Sequence, residues 1–306
     1  MRIERLGIHQ SVEQVFPPER LEESLAVVPV PVDIVEEELG TVDGIVTFEH
    51  RDGFVGLRWV HTILAGVDRY PVAEFDAHGV TLTNSTGIHG DAAGQTVMAY
   101  VLSLARGLHR HRDSQSSREW NQLSVDSMER IDGEEICVIG LGTLGSGIAT
   151  YADNIGMNVV AVRQSGIPAP RVDRVYTPDD LLEAVSNAKF VAVAVPLNEN
   201  TEGMIDEQVF SEMRDDAYFI NVARGPVVSE EALIDAVRSG SIAGAALDVF
   251  ESEPLPESSP LWTMEDVIIT PHVSALFPAY HQSVADIVRT NLRRIQAGEE
   301  PVNKVV

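Results

Sequence analysis

Short apolar runs separated by polar segments of helical length recur along most of the chain. From residue 131 onward they occupy 135–139, 158–162, 190–195, 217–222, 243–247 and 267–270. The run 190–195 is apolar throughout, as in strands of a parallel sheet that is covered on both faces. Between two of these runs, Ser229 as N-cap and Gly240 as terminator predict a helix over Glu230–Ser239. The alternation predicts a doubly wound α/β fold.

The first 93 residues predict a second, smaller α/β unit. Its β-branched runs occupy 45–48, 59–64 and 80–84. Residues 91–110 predict one long helix, because apolar side chains recur at spacings of three and four. The polar stretch 113–117 predicts a surface loop, and the segment from about residue 277 predicts a helix that could return to the first unit.

A glycine-rich turn follows the apolar run 135–139. Gly140, Gly142 and Gly145 form a G-x-G-x-x-G pattern between a predicted strand and a predicted helix start. The first glycine permits the tight turn, the second lets the backbone approach a pyrophosphate, and the third allows close helix–strand packing. The helix N-terminus offers N–H groups to phosphates. The pattern favours a dinucleotide site over a purely structural turn.

The end of the second predicted strand, 158–162, bears on the choice of nicotinamide cofactor. An NAD site usually has an acidic residue here, which accepts hydrogen bonds from the ribose hydroxyls. This chain has Arg163, followed by Gln164 and Ser165. A guanidinium suits a 2′-phosphate, so we expect NADP(H) to be preferred. NAD(H) stays usable if Arg163 only solvates the strand end or stacks on adenine.

Three later strands each place an ionisable residue just beyond their C-terminal ends: Arg224, Asp248 and His272. Ligands bind at that edge of open α/β sheets, so the three side chains should face the same crevice as the pyrophosphate. An imidazole can donate a proton near neutral pH, and a guanidinium can bind a carboxylate. Alone, His272 could be a structural histidine and Arg224 part of a surface ion pair. Together they are the candidate catalytic residues of this crevice.

The chain resembles the D-isomer-specific 2-hydroxyacid dehydrogenases over nearly its whole length. Three motifs carry the resemblance after the glycine turn: Asn-Val-Ala-Arg-Gly at 221–225, Leu-Asp-Val-Phe-Glu-x-Glu-Pro at 247–254 and Thr-Pro-His at 270–272. The resemblance implies a Rossmann dinucleotide-binding domain at 94–276. It also implies a smaller flavodoxin-like substrate domain, made of 1–93 and 277–306, and a homodimer.

The resemblance also implies roles for single residues. His272 would donate the proton, Glu253 would pair with it, and Arg224 would bind the substrate carboxylate and polarise the keto oxygen. Glu253 is chosen over Glu251 because it immediately precedes Pro254. Asp248 would orient the nicotinamide carboxamide. The loop Leu64, Ala65, Gly66 and Val67 resembles the family loop whose N–H groups hold the carboxylate. The implied cofactor contacts are Gly140, Gly142, Thr143, Leu144, Gly145, Arg163, Gln164, Ser165, Val195, Pro196, Thr201, Val222, Ala223, Asp248, His272 and Ser274.

These features predict an NADP-preferring D-2-hydroxyacid dehydrogenase that works as a 2-ketoacid reductase. The alternative is a nucleotide-sensing, corepressor-like binding protein of the same fold. The intact set of Arg224, Glu253 and His272 favours the enzyme, since a sensor need not keep all three. The identity of the 2-keto acid and the physiological direction stay open at this point.

The charge balance is the unusual feature of the composition. The chain has 47 acidic and 22 basic residues, a formal net charge of −25, and its only lysines are Lys189 and Lys304. The acidic residues are spread along the chain, which argues against nucleic acid or an anionic membrane as a partner. The balance resembles that of proteins from a salt-loaded cytoplasm, as in halophilic archaea. An ordinary acidic protein is the alternative.

Other features of the sequence exclude further classes. No apolar stretch approaches the length of a membrane span, and the N-terminus lacks the apolar core of a signal peptide, so we expect a cytoplasmic protein. The single cysteine, Cys137, lies in a predicted strand and is expected to be a small buried hydrophobe. His89, His109 and His111 lack metal-ligand spacing, so no catalytic metal is predicted.

We expect the protein to unfold or lose activity at low salt, because its carboxylates then repel one another without screening. The Debye length falls from about 10 Å at 0.1 M to about 3 Å at 1 M salt. The thermal unfolding midpoint, measured across that range of KCl, should therefore rise with salt. Full stability in dilute buffer, with a midpoint that KCl does not move, would contradict this prediction.

Overall fold

The structure is a computed structural model that describes residues 1–36, 39–40 and 42–306. It divides into two compact units, Met1–Ile88 with Phe277–Val306, and His89–Leu276. The sequence places the first boundary at residue 93, whereas the division falls before His89. The reason is that the helix beginning at Gly90 packs along a helix of the second unit, so its first turn belongs there.

The described residues of the first unit contain a five-stranded parallel sheet. Its strands are β1 (Leu6–His9), β2 (Val32–Val35), β3 (Gly44–Thr47), β4 (Trp59–Thr62) and β5 (Thr81–Thr83). Their order, β2-β1-β3-β4-β5, is the flavodoxin-like one. Helices α1 (Pro18–Leu25) and α2 (Val72–His78) belong to this unit, as does the C-terminal helix Tyr280–Gln296. That C-terminal helix packs on α1, and its apolar face joins the core that covers one face of the sheet.

The second unit contains a seven-stranded parallel sheet. Its strands are β6 (Glu135–Ile139), β7 (Asn158–Val162), β8 (Arg174–Tyr176), β9 (Phe190–Val193), β10 (Tyr218–Asn221), β11 (Gly244–Leu247) and β12 (Val267–Ile269). The order is β12-β11-β10-β9-β6-β7-β8, so the strand order reverses between β6 and β9. Such a reversal opens a crevice at the carboxyl ends of the strands, which is where open α/β sheets bind their ligands.

Six helices complete the second unit: α3 (Gly90–Ala105), α4 (Leu108–Ser117), α5 (Thr143–Asn154), α6 (Leu181–Ser186), α7 (Glu207–Glu212) and α8 (Glu230–Ser239). The C-terminal helix of the first unit is therefore α9. Short 3₁₀ turns lie at Gln10–Gln14, Asp52–Gly56, Val125–Ser127, Pro178–Asp180, Gly225–Val227 and Pro260–Thr263. Two apolar cores cover the opposite faces of the seven-stranded sheet.

The predicted fold class is confirmed, with differences at particular elements. β1, β2 and β8 do not stand out in the sequence pattern. The predicted helix over 91–110 is interrupted at Gly107, which adopts a left-handed conformation and separates α3 from α4. Residues 113–117, predicted as a loop, are helical in α4. This helix buries none of its residues, so its sequence has no apolar stripe that would predict a helix.

Helices α3 and α5 approach each other closely because glycines line their contact. A Cβ atom added at Gly147 would lie 2.0 Å from the carbonyl oxygen of Gly90. One added at Gly94 would lie 2.8 Å from the carbonyl oxygen of Gly147. Larger side chains would push the helices apart. The contact fixes α5, and therefore the glycine-rich turn at its start, against α3.

The N-terminal edge of the seven-stranded sheet holds a buried ammonium group. The side chain of Lys189, immediately before β9, is only 3% exposed. Its Nζ lies 2.7 Å from a carboxylate oxygen of Glu129 and 3.2 Å from one of Asp216. It also lies 5.3 Å from the ring centroid of Tyr218. These partners offset the desolvation of the charge, which would otherwise be strongly unfavourable.

Among the described residues, no helix combines the length and the apolar character that crossing a bilayer requires.

Candidate active site

The glycine-rich turn joins β6 to α5, and each of its glycines meets a different demand. Gly140 has a φ of +99°, and a Cβ there would lie 2.8 Å from the Ala194 carbonyl oxygen. A Cβ at Gly145 would lie 1.7 Å from the carbonyl oxygen of Gly140. A Cβ at Gly142 would meet no atom within 4 Å, so this residue faces open space. The turn thus leaves room for a ligand at Gly142.

The N-terminus of α5 can hold an anion. Gly142 is its N-cap and offers no side-chain cap, and the first helical bond runs from the N–H of Ser146 to the Gly142 carbonyl at 2.9 Å. Within the described chain, the N–H groups of residues 142–145 donate no hydrogen bond. They lie at the positive end of the helix dipole. The turn therefore fits the pyrophosphate of a dinucleotide.

The turn after β7 presents polar side chains and no carboxylate. The N–H of Arg163 donates to the Tyr176 carbonyl at 3.0 Å, and its Nη1 donates to the Ile167 carbonyl at 3.4 Å. Gln164 and Ser165 are exposed, and Gly166, with a φ of +59°, closes the turn. A guanidinium, an amide and a hydroxyl therefore stand at the carboxyl end of β7, beside the strand that precedes the glycine turn.

His272 and Glu253 form a close pair. The imidazole Nδ1 lies 2.8 Å from Oε2 of Glu253, and the other carboxylate oxygen accepts the N–H of Phe250 at 3.2 Å. The His272 side chain is 39% exposed, so the pair is open to ligand. Glu251, the neighbouring carboxylate, points elsewhere: its Oε1 accepts the N–H of Glu230 at the start of α8 at 3.0 Å.

The carboxylate of Asp248 is buried and organises the turn that carries His272. Its Oδ1 accepts the N–H of Val273 at 2.9 Å, and its Oδ2 accepts the N–H of Ser274 at 2.8 Å. The Asp248 carbonyl accepts the N–H of His272 at 2.8 Å. His272 has a φ of +54°, which is unusual for a residue other than glycine. The bonds around Asp248 hold the histidine in this conformation.

A buried hydroxyl chain continues from Asp248 to α3. The Thr270 hydroxyl donates to Oδ1 of Asp248 at 2.6 Å, and Tyr100 Oη lies 2.5 Å from Thr270 Oγ1. Because the Thr270 proton is committed to Asp248, Tyr100 must donate to Thr270. Burial raises the pKa of Tyr100 to about 12, so this hydroxyl keeps its proton. The sequence predicts a cofactor contact for Asp248 and gives no signal for Tyr100.

Arg224 follows β10 on a tightly packed loop. Its Nη1 donates to the Ala223 carbonyl at 2.8 Å, and the Asn221 amide donates to the Arg224 carbonyl at 3.2 Å. A Cβ at Gly225 would lie 1.9 Å from the carbonyl carbon of Phe250, so this loop touches the one that leads to Glu253. The contact fixes the arginine loop relative to the carboxylate loop.

His89, at the start of α3, is a further buried group in this electrostatic environment. It is 4% exposed, and burial together with the charge of Arg224 lowers its pKa to about 4. The imidazole is therefore neutral near neutral pH. The sequence predicts no metal-binding role for His89. Within the described residues, no cluster of His, Cys, Asp and Glu could hold a metal ion.

The other predicted cofactor residues lie at the carboxyl edge of the same sheet. Thr201 closes a turn by donating to the Pro196 carbonyl at 2.6 Å, and Val195 precedes that turn. Val222, Ala223 and Ser274 are each less than 5% exposed. These three residues would therefore contact a cofactor mainly through backbone atoms.

The predicted substrate loop of the first unit follows β4. The N–H of Ser85 donates to the Leu64 carbonyl at 2.9 Å, and the Asn84 amide donates to the Ala65 carbonyl at 2.8 Å. Within the described chain, the N–H groups of Ala65, Gly66 and Val67 donate no hydrogen bond. Three neighbouring donors are thus available to an anion, as a carboxylate-binding loop requires.

Comparisons with known proteins identify the family to which this chain is similar. Residues 98–274 match the family model "D-isomer specific 2-hydroxyacid dehydrogenase, NAD binding domain". A glyoxylate reductase of Thermococcus gammatolerans is 32% identical over 320 aligned positions, covering 99% of this chain and 93% of the relative. One from Thermofilum pendens is 31% identical over 268 residues, covering 84% of this chain and 78% of the relative.

A solved structure gives the same picture. The crystal structure of a D-isomer specific 2-hydroxyacid dehydrogenase from Xanthobacter autotrophicus, in complex with NADPH and MES, has a TM-score of 0.86 at 30% identity. The similarity covers 99% of this chain and 98% of that one. The fold and these matches identify an NAD(P)-dependent oxidoreductase. The chain belongs to the D-isomer specific 2-hydroxyacid dehydrogenase family.

Replacement of Thr270 by valine should destabilise the protein and lower its activity. The change keeps the shape of the side chain but removes a donor from Asp248 and an acceptor from Tyr100. Leaving buried polar groups without partners costs about 1–3 kcal/mol. Urea unfolding would measure the loss. Thr263→Val, at an exposed hydroxyl that donates to Pro260, is the control and should stay within about 0.5 kcal/mol of the native protein. Equal effects of the two changes would contradict the prediction.

Proposed function

We propose that this protein is an NADP-preferring D-2-hydroxyacid dehydrogenase that reduces small 2-keto acids. The observation that carries the proposal is the His272–Glu253 pair, with 2.8 Å between Nδ1 and Oε2, beside a loop that presents Arg224. The relatives named glyoxylate reductase point to glyoxylate as the first substrate to test. Hydroxypyruvate is the second, because a further relative is named glyoxylate/hydroxypyruvate reductase B.

The chemistry divides between the bound cofactor and the side chains. The nicotinamide, when bound, supplies the hydride that reduces the keto carbon. His272 supplies the proton for the keto oxygen. Because Glu253 occupies Nδ1, the proton leaves from Nε2, and the carboxylate holds the orientation of the ring. Arg224 binds the substrate carboxylate and polarises the keto oxygen through its fork of donors. In the first unit, Ala65, Gly66 and Val67 offer N–H groups to a substrate carboxylate.

The preference for NADP(H) rests on the turn after β7. Arg163, Gln164 and Ser165 offer donors to a 2′-phosphate, and this turn contains no carboxylate to bind the ribose hydroxyls or to repel a phosphate. The relative from Xanthobacter autotrophicus, 30% identical, was solved with NADPH. Residues 142–145 would hold the pyrophosphate, with Val195, Pro196, Thr201, Val222, Ala223 and Ser274 forming the remainder of the nucleotide surface.

The organisation of the protein follows from the same proposal. The second unit is the dinucleotide-binding domain and the first is the substrate domain. A homodimer formed through the second unit would cover apolar side chains that are exposed there, among them Leu102, Leu108, Trp120 and Val125. The net charge of −25 and the two lysines support a halophilic archaeal protein that works in a salt-rich cytoplasm.

The proposal is tested by following NADPH and NADH absorbance in about 1 M KCl, where charges are screened over about 3 Å. Glyoxylate, hydroxypyruvate and larger 2-keto acids form the panel. We expect NADPH to be oxidised by at least one of them, and faster than NADH. Tight cofactor binding without turnover of any member would instead support the nucleotide-sensing alternative.

His272→Ala is the control for that assay. It should remove most of the reductase rate, about 10²-fold or more, while leaving cofactor binding nearly unchanged. In the native protein, reduction should weaken and oxidation strengthen as the pH rises, because reduction needs the protonated imidazole and oxidation the neutral one. The same pH profile in both directions would count against His272 as the proton donor.

Arg163→Ala should abolish discrimination between the two cofactors. The guanidinium contributes charge-assisted hydrogen bonds to the 2′-phosphate, so we expect the KM for NADPH to rise about tenfold or more while that for NADH changes little. Arg171→Ala is the matched control, because Arg171 lies in the same connection and pairs with Asp153. An undiminished NADPH preference in Arg163→Ala would show that another group binds the 2′-phosphate.

A further inference from the structure

The first unit contains a buried chain of polar side chains beneath the loop 64–67. His61, in β4, is fully buried. Its Nδ1 lies 2.8 Å from Oγ1 of Thr83, and its Nε2 lies 3.1 Å from Oγ of Ser85. Trp59 Nε1 donates to the same threonine oxygen at 2.8 Å, and Ser85 Oγ donates to the Thr62 carbonyl at 3.2 Å. Both ring nitrogens of this buried histidine are therefore within hydrogen-bond distance of a hydroxyl.

The partners determine where the protons lie. The Ser85 proton is directed to the Thr62 carbonyl, so the ring must donate from Nε2 to Ser85. Nδ1 is then an acceptor and receives the Thr83 proton, while Thr83 accepts from Trp59. The opposite arrangement would give the Thr83 oxygen two donors and leave its own proton without an acceptor in the described chain. Every group is satisfied only by the Nε2–H tautomer.

The imidazole of His61 does not titrate near neutral pH. Burial lowers the pKa of His61 to about 3, so the ring is neutral near neutral pH. His61 is therefore not an acid or a base for the reaction. Its ring is a fixed spacer that joins the end of β4 to residues 83–85.

The residues that His61 holds in turn orient the loop 64–67. The N–H of Ser85 donates to the Leu64 carbonyl, and the side-chain amide of Asn84 donates to the Ala65 carbonyl. In a trans peptide the C=O and the following N–H point in opposite directions. Holding these two carbonyls against residues 84 and 85 therefore turns the N–H groups of Ala65 and Gly66 away from the unit's interior and towards a ligand.

We infer that His61 is a positioning residue for substrate recognition: through Ser85 it fixes the direction of the Ala65 and Gly66 N–H groups that bind the carboxylate of a 2-keto acid. This role rests on the proposed function of the loop, and it concerns binding of the acid substrate alone. The cofactor surface lies in the other unit, so its affinity should not depend on His61.

The test compares His61→Leu and Ser85→Ala with His9→Leu, using steady-state reduction of glyoxylate by NADPH. His9 is also a buried histidine of the first unit's sheet, 4% exposed, and matches His61 in type and burial. We expect both test variants to raise the KM for glyoxylate about tenfold, with kcat changed less than about threefold and NADPH affinity unchanged. The KM for glyoxylate of the double variant should be no higher than that of the more affected single variant, because the two side chains act through one contact.

A spectroscopic measurement tests the hydrogen bonds of His61 independently of enzyme activity. In ¹⁵N NMR spectra of the native protein, His61 should be the Nε2–H tautomer and should not titrate between about pH 5 and 8. A titrating ring or the Nδ1–H tautomer would overturn the inference. So would a KM for glyoxylate in Ser85→Ala or His61→Leu no higher than in His9→Leu, or strictly additive effects. If His61→Leu does not fold, Ser85→Ala and the spectra still decide. Absence of turnover by the native protein would instead refute the proposed function.

Discussion

The geometry of the candidate site depends on one buried carboxylate. Removing an ionised carboxylate from water costs several kcal/mol unless hydrogen bonds replace the lost hydration. Asp248 is fully buried, and Thr270, Val273 and Ser274 donate to its two oxygens. A carboxylate satisfied in this way cannot move without losing several bonds at once. The turn that it holds is the one that presents His272.

This arrangement explains how His272 keeps an unusual backbone conformation. A left-handed φ of +54° costs a residue other than glycine of order 1 kcal/mol, and it persists only where the surroundings determine it. Here the main-chain bond to Asp248 and the side-chain bond to Glu253 act on the same residue. Glu253 is placed in turn by the loop that packs on Gly225 and that Glu251 ties to α8. The His272–Glu253 pair is thus held by two loops that contact each other.

The sequence predicts the parts of this structure whose cause is local. The glycine turn is recognisable because φ and close approach exclude side chains at Gly140 and Gly145, and strand ends can be located from apolar runs. Of the strands that were missed, β2 and β8 lie at sheet edges where burial is incomplete. Tyr100 and Thr270 meet although they are 170 positions apart, and no local pattern reveals such a contact. For Asp248 and His61 the sequence gives the residue type but not the partners, and the partners determine the role.

The burial of Lys189 has a practical consequence for the chemistry of the surface. One of the two lysines is enclosed by Glu129, Asp216 and the ring of Tyr218, so Lys304 alone, with a side chain 40% exposed, presents a side-chain amine to reagents. Amine-directed crosslinkers or dyes would therefore attach to side chains at essentially one place, close to the C-terminal end of the sequence. A protein whose positive charge is carried almost wholly by arginine offers an unusually well-defined point of attachment.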